Sequence, residues 1–363
     1  MFTASDHVYM TRALQLAVQG LYSTKPNPRV GCVIVKNNQI IGEGAHLQAG
    51  EPHAEVFALR QAGEQARGAT AYVTLEPCSY TGRTPPCAEA LVKVGVSKVI
   101  AAMQDPNPLV AGKGLAYLQA HQVAVASGLM EPQAIALNPG FISRMSRQMP
   151  FVRCKIASSL DGRTALNNYQ SQWITSEPAR LDVQHWRAQS CAILTGIGTV
   201  LSDDPSMTVR SININRQPLR VIVDSHLRIS PQANILQGGN TLIAFAKDCE
   251  NKSDLLQAAG AELICIPNAD HKVCLKTLLS RLAHMQINEV LCECGEGLNG
   301  ALLSLNLIDE MLLYIAPKLM GSKAKGLFDT PEFTQMSQAI ALDVFELRQI
   351  GSDIRMRAKP IYS

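Results

Sequence analysis

His53, Cys78 and Cys87 offer one imidazole and two thiols, and Glu55 sits two residues beyond the histidine. Three side-chain ligands of these types are one short of a closed tetrahedral zinc site, so a position stays open for water. Zinc lowers the pKa of such a water towards neutrality and makes a hydrolytic nucleophile available at physiological pH. On a helix opened by His53, Glu55 projects near the metal without ligating it, placed to carry protons between the water and a leaving amine. That is the chemistry of taking an amino group off a heteroaromatic ring.

H-x-E followed by P-C-x-x-C marks the zinc nucleobase deaminases. His53-Ala54-Glu55 and Pro77-Cys78 match it, but the next cysteine comes only after the insertion Ser79-Tyr80-Thr81-Gly82-Arg83-Thr84-Pro85-Pro86. Thr74-Leu75-Glu76-Pro77-Cys78 closes an apolar run, as at the end of a strand. A second set of residues lies far downstream. Gly295-Glu296-Gly297-Leu298-Asn299-Gly300 is a G-x-G-x-x-G between a predicted strand at 289–293 and a helical run from Ala301. In that context glycines bring backbone N–H groups up to a pyrophosphate. The following strand ends Ala316-Pro317-Lys318, with no acid to accept from a free ribose 2′-hydroxyl, which favours a 2′-phosphorylated cofactor. Polar loops at 158–163, 171–176 and 196–205, with Arg180, Arg187 and Arg210, add the donors that an anionic cofactor and a phosphorylated substrate require.

The elements that must position these residues alternate. Ser5 or Asp6 caps a predicted helix to about 21, Lys25-Pro26-Asn27-Pro28 turns, and strands follow at 30–35 and 40–41. A helix from His53 to about 66, a strand at 69–75, a helix at 85–94 with Cys87 in its first turn and a strand at 98–103 complete an α/β order, with helices on both faces of one sheet. A thiolate near a helix N-terminus is stabilised by the unpaired N–H groups there. The basic stretch 144–148 and Pro150 mark a domain boundary, giving domains 1–148 and 149–363. The second carries predicted strands at 151–157, 192–195, 220–224, 242–246, 262–266, 289–293 and 311–316.

Length and composition set bounds. The 363 residues suffice for two cores. An apolar content of 47% and mean hydropathy of +0.04 describe a globular chain, and no apolar stretch reaches bilayer length. Ten cysteines without export features fit reduced thiols and metal ligation, and the cytoplasm is the expected compartment. Residues 1–150 hold 12 Lys+Arg against 9 Asp+Glu and the remainder 21 against 21, which argues against a long nucleic-acid footprint. Aromatics at 5% argue the same way against a nucleic-acid deaminase with a non-catalytic C-terminal interaction domain. A small-molecule substrate, no nucleic acid, no membrane and a homo-oligomer are the expected partner state.

Taken in order, the motifs resemble the bifunctional deaminase/reductase family of riboflavin biosynthesis over nearly the whole chain. The resemblance rests on Pro26-Asn27-Pro28-x-Val30-Gly31, Gly50-Glu51-Pro52-His53-Ala54-Glu55, Glu76-Pro77-Cys78, Gly82-Arg83-Thr84-Pro85-Pro86-Cys87, and Asp105-Pro106-Asn107-Pro108 with Ala111-Gly112-x-Gly114. Downstream it rests on Lys155-x-Ala157-x-Ser159-Leu160-Asp161-Gly162-Arg163, Trp173-Ile174-Thr175, Arg187-Ala188, Gly198-Thr199-Val200-Leu201-x-Asp203-Asp204-Pro205, Arg210 and the glycine loop. It implies a cytidine-deaminase-like α/β/α domain followed by a dihydrofolate-reductase-like α/β domain. It also implies one zinc per chain and NADPH, acting on a phosphoribosylaminopyrimidine. By resemblance His53, Cys78 and Cys87 hold zinc and Glu55 moves protons. Ala157, Trp173, Thr199, Asp203, Ser225, Gly295, Glu296, Gly297, Leu298, Asn299, Gly300 and Ala301 meet the cofactor. Asn27, Arg83, Lys155, Ser171, Arg187, Met207, Arg210 and Glu293 meet substrate, although by position alone Lys155 reads as a surface lysine. Tyr80 replaces a usual histidine, Met207 a usual leucine, and Glu296 is uncommon in the loop.

Overall fold

Thr3, rather than Ser5 or Asp6, caps the first helix, α1 (Ala4–Val18). Its hydroxyl accepts from Asp6 N while the Asp6 carboxylate accepts from Thr3 N at 2.7 Å, a reciprocal capping box. The helix stops short of 21 because the chain turns in at Gly20, where a Cβ would lie 2.5 Å from the His46 carbonyl oxygen. The structure, a computed structural model, describes residues 1–80, 85–108 and 110–362. It divides into two units, Met1–Gln148 and Met149–Ser363.

In the first unit β1 (Gly31–Lys36), β2 (Gln39–Ala45), α2 (Ala54–Ala62), β3 (Thr70–Val73), α3 (Cys87–Val94), β4 (Lys98–Ala101), α4 (Lys113–Ala120), β5 (Ala124–Ser127), α5 (Glu131–Leu137) and α6 (Pro139–Arg147) follow in order. The sheet runs β2-β1-β3-β4-β5, with β1 antiparallel to both neighbours and β3, β4 and β5 parallel. Register shows which face each helix takes. Gly31 pairs with Ala45 and Cys32 with Gly44, so Gly31 and Gly44 point to opposite faces. A Cβ on Gly31 would sit 2.0 Å from Ala13 O of α1, and one on Gly44 2.1 Å from Ala54 O of α2. Helices therefore cover both faces, and bare backbone in β1 and β2 lets them approach. Helix α2 ends at Ala62, and 63–66 continue as a 3-10 turn entered through Gly63 at φ 54°.

The second unit contains β6 (Phe151–Ser159), α7 (Glu177–Gln189), β7 (Ala192–Gly196), α8 (Ile197–Asp203), β8 (Leu219–Val223), β9 (Thr241–Phe245), α9 (Ser253–Ala258), β10 (Ala261–Cys265), α10 (Leu275–His284), β11 (Glu289–Cys292), α11 (Glu296–Ser304), β12 (Glu310–Ala316), β13 (Ala341–Ile350) and β14 (Asp353–Ile361). Its nine strands order as β10-β9-β8-β7-β11-β6-β12-β14-β13, parallel as far as β12 and antiparallel through the terminal hairpin. No helix among the described residues is long and apolar enough to cross a membrane.

A chain of charges links α7 to the hairpin side of this sheet. Arg153 on β6 holds Glu310 at 3.0 Å and Glu289 at 3.4 Å, Arg357 bridges Glu310 and Glu346, and Arg355 bridges Glu346 and Asp182 of α7. The three guanidinium groups all lie over the Trp186 ring. At the turn of the hairpin, Asp353 accepts from the backbone N and hydroxyl of Ser176, the residue that caps α7. Burying one cation between two anions makes its removal costly. Arg153→Met is expected to destabilise this unit by about 3–5 kcal/mol, because Glu289 and Glu310 lose their shared partner. Both tryptophans, Trp173 and Trp186, belong to this unit, so denaturant unfolding followed by tryptophan emission measures it; a loss below about 1 kcal/mol would refute the account.

Candidate functional site

In the first unit the chain brings His53, Cys78 and Cys87 to one point. His53 is the N-cap of α2 and Cys87 the first residue of α3, so two helix N-termini converge there. His53 Nδ1 lies 3.2 Å from Cys87 Sγ and 3.6 Å from Cys78 Sγ, and the three potential ligand atoms all lie within 4.8 Å of one another. Cys87 N donates to Cys78 Sγ at 3.3 Å. Hydrogen bonding from Cys87, with His53 close by, holds the Cys78 thiol down to about 4, and the bond to Cys78 raises the His53 imidazole. Cys87 is pushed up by its bond to Cys78 and by burial. Three soft and borderline donors with one thiolate already favoured fit a zinc ion.

Glu55, on the first turn of α2, is 3% exposed, and its Oε2 is buried without a hydrogen-bond partner among the described residues. Burial first, and then the neighbouring Cys78 thiolate, push its carboxyl up to about 7. An unpartnered buried carboxyl oxygen beside a ligand cluster is poised to exchange protons near neutrality.

Two further residues complete the setting. His46 is buried with its ring edge-on to His53 at 5.3 Å; its Nε2 lies 3.1 Å from Asn27 Nδ2 and its Nδ1 3.2 Å from Pro52 O. Asn27 thus reaches the site through His46. Glu76, buried just before Pro77-Cys78, accepts four backbone N–H groups: Asp105 and Gly112 on Oε2, Gly114 and Leu115 on Oε1. Two of these donors belong to the first turn of α4, whose positive end faces the carboxylate. Gly114 is required, since a Cβ there would lie 1.9 Å from Pro77 O. Arg83 lies outside the described residues.

In the second unit a cleft of about 1130 Å³ is lined by Lys155, Ala157, Ser171, Trp173, Arg187, Thr199, Asp203, Met207, Arg210, Glu293, Gly295, Glu296, Gly297 and Leu298. The glycine loop divides at Leu298. Its first four residues face the cleft, whereas Asn299 is fully buried and donates to Cys294 O and Leu327 O. Gly300 packs against backbone, with a Cβ position 1.8 Å from Asp329 O, and Ala301 packs on the core. Ser225 also lies off the cleft; its hydroxyl accepts from Val273 N. For these four, the demands of packing account for the residue types.

Charge in the cleft differs from expectation in two places. Arg187 forms a two-pronged pair with Glu293 at 2.6 and 2.9 Å and donates to Thr208 O, so its guanidinium is committed within the protein. Lys155 is not a surface residue: on the central strand β6 it is half-buried, and burial lowers its pKa against the nearby Glu293. Arg210 is exposed, with no side-chain partner among the described residues. Asp203 is exposed and lies 3.5 Å from the Ser171 hydroxyl, and Arg180 stacks 4.5 Å over the exposed Trp173 ring.

Comparison with known proteins finds a family model for each unit. Residues 3–103 match the cytidine and deoxycytidylate deaminase zinc-binding region, and residues 150–356 match the RibD C-terminal domain. The riboflavin biosynthesis protein RibD of Escherichia coli strain K12 is 48% identical over 362 residues, covering 96% of this chain and 98% of that protein. The chain belongs to the RibD family. A solved RibD of Acinetobacter baumannii superposes with a TM-score of 0.92 at 49% identity over 99% of both chains. A Thermotoga maritima deaminase/reductase superposes with a TM-score of 0.86 at 30% identity, covering 98% of this chain and 99% of that one.

RibD proteins are the bifunctional deaminases/reductases of riboflavin biosynthesis, so this chain is a hydrolase and an oxidoreductase. Its first unit has the cytidine-deaminase-like fold and its second the dihydrofolate-reductase-like fold. Reading the second unit as a non-catalytic interaction module is thereby set aside. A zinc-binding deaminase domain and a reductase domain call for zinc and a nicotinamide cofactor. Within this RibD frame Tyr80 is an exposed side chain, and Met207 fills a buried place among Ile197 and Val200 that a leucine would also fill.

The Glu76 contacts yield a direct test. Glu76→Ala leaves four backbone donors without their acceptor, and is expected to cost the first unit about 3 kcal/mol or more. Thermal unfolding followed by circular dichroism would show it as an early transition. A midpoint unchanged within error would mean that water replaces the carboxylate.

Proposed function

We propose that the first unit deaminates 2,5-diamino-6-(5-phosphoribosylamino)pyrimidin-4(3H)-one. The second unit then reduces the ribosyl group of 5-amino-6-(5-phosphoribosylamino)uracil to ribityl with NADPH. The substrate names follow the Thermotoga relative, a diaminohydroxyphosphoribosylaminopyrimidine deaminase and 5-amino-6-(5-phosphoribosylamino)uracil reductase. The observation that carries the reading is the pairing of the His53–Cys78–Cys87 cluster and the partnerless Glu55 oxygen with a separate cleft closed by a glycine turn.

For deamination, His53, Cys78 and Cys87 would hold one zinc ion, which supplies Lewis acidity and a more acidic water. Glu55 Oε2 takes a proton from the attacking water and returns it to the amino group as the C–N bond breaks and ammonia leaves. Burial raises the carboxyl to about 7, so it can both accept and return that proton near neutral pH. Asn27 and His46 orient the pyrimidine edge. Arg83, assigned from the sequence, meets the substrate phosphate.

For reduction, NADPH would supply the hydride, with the balancing proton drawn from solvent, and the protein's own residues contribute orientation and charge. Ala157 is small enough to let the nicotinamide amide approach backbone. Trp173, Thr199 and Asp203 line the same cleft and would help hold the cofactor, and the turn from Gly295 to Leu298 presents N–H groups at the start of α11. Arg187 serves by holding Glu293 in place, where the carboxylate can order sugar hydroxyls beside Lys155 and Ser171. Arg210 is left as the cation for the substrate phosphate, with Met207 shaping the wall.

Two experiments test these roles. Glu55→Gln is expected to retain one equivalent of zinc by metal analysis while deaminase turnover falls about 10²–10⁴-fold, whereas Cys87→Ser loses the zinc. Full metal content in Cys87→Ser, or near-normal turnover in Glu55→Gln, would remove the corresponding assignment. In the reductase assay, NADPH is expected to serve far better than NADH. Arg210→Ala is expected to raise KM for the deaminated substrate about tenfold or more, the scale of a lost charge-assisted phosphate contact. An unchanged KM would place the phosphate elsewhere.

A further inference from the structure

Glu296 is an awkward residue for a loop that receives phosphates, because its carboxylate stands at the first turn of α11, where an anion would bind. The structure shows how it is managed. Glu296 Oε2 accepts from Gly326 N at 2.9 Å, and Lys325 Nζ lies 3.7 Å from Oε1. Lys325 itself is fixed by backbone: its N–H donates to Ala165 O and its carbonyl accepts from Thr164 N, both at 2.9 Å. Its ammonium also lies 5.0 Å from the centre of the Tyr169 ring. Lys325, Tyr169 and Glu296 all line the cleft. At 3.7 Å the ion pair is longer than a hydrogen-bonded one, and both side chains are about 30% exposed, so Glu296 restrains the ammonium only weakly.

We propose that Lys325 is a further cofactor-binding residue, whose ammonium meets the diphosphate of the dinucleotide at the glycine turn, and that Glu296 limits the affinity by competing for it. This rests on the nicotinamide-cofactor reading of the cleft given above. A diphosphate carries more charge than one carboxylate and offers shorter contacts, so it draws the ammonium across from Glu296. The Glu296 carboxylate stays held by the Gly326 N–H, turned from the phosphates. The pair then acts as a counterweight. Before the cofactor enters, Lys325 is partly neutralised; afterwards its charge is spent on the phosphates.

The test is a titration of the full chain with NADP+ at low and moderate salt, using wild type, Lys325→Ala, Lys325→Arg and Glu296→Gln. Lys325→Ala is expected to weaken binding about tenfold and to flatten its salt dependence, since one phosphate contact is lost. Lys325→Arg keeps the charge and is expected to stay within about threefold of wild type, while Glu296→Gln tightens binding about threefold. Unchanged affinity in Lys325→Ala, or weaker binding in Glu296→Gln, would overturn the proposal. If wild type itself took up no NADP+, the cofactor reading would fail instead. Thermal unfolding of each variant checks its fold; should Lys325→Ala be unfolded, the tightening expected of Glu296→Gln decides, with unchanged or weaker binding there overturning the proposal.

Discussion

The deaminase centre depends on one buried carboxylate, Glu76, that stands outside the His53–Cys78–Cys87 cluster. Glu76 gathers four N–H groups from 105 to 115 and so ties the end of the β3 strand run to the first turn of α4. Pro77 and Cys78 follow directly, and their place is set by that tie and by the close approach that Gly114 permits. A negative charge among amide dipoles at a helix start is well compensated without a counter-cation. The thiolate of Cys78 then stands where the N-terminal ends of α2 and α3 meet, and His53 and Cys87 need only begin their helices to reach it. The glycines of β1 and β2 set how near α1 and α2 come to the sheet, and so fix the depth of Glu55.

The reductase cleft is organised from the opposite direction, by a helix held from behind. One face of α7 carries Asp182 and Trp186 into the charged ladder of β6, β12, β13 and β14, and the other lines the cleft with Arg180, Gln184 and Arg187. The Arg187–Glu293 pair neutralises the cleft floor, so the anion-binding capacity of the second unit is left to a few exposed cations and to backbone N–H groups. On the function proposed above, this is how a dinucleotide and a sugar phosphate would share one cleft without a strongly basic surface.

Much of this was legible in the residues themselves. His53-x-Glu55, Pro77-Cys78 and Cys87 could be read because zinc chemistry demands particular side chains, and each of them opens a helix or closes a strand run. The part played by Glu76 is hidden in its own motif, because its partners lie 29 to 39 residues onward. The terminal hairpin was also missed. Its strands carry Glu346, Arg355 and Arg357, charges that only the ladder pairs; Arg355 is buried, while Glu346 and Arg357 stay partly exposed. Lys155 misled for the reverse reason: a lysine suggests a surface, but β6 lies between β11 and β12 in a sheet covered on both sides. In the glycine loop, Asn299 and Gly300 satisfy a motif while serving the core, where only packing contacts reveal their part.

The order of the strands carries a consequence for synthesis. The first unit closes its five-stranded sheet with β5 and can bury its core while the ribosome is still far upstream of the terminal hairpin. The second unit cannot, since β14, which supplies the partners of Asp182 and Glu310, comes last in the chain but pairs with β12 inside the sheet. Until it arrives, β12 presents an open edge and the ladder lacks two of its three cations. A nascent chain of this protein is therefore half a finished enzyme and half an adhesive intermediate, and the interval before the hairpin docks is when it is most exposed to aggregation.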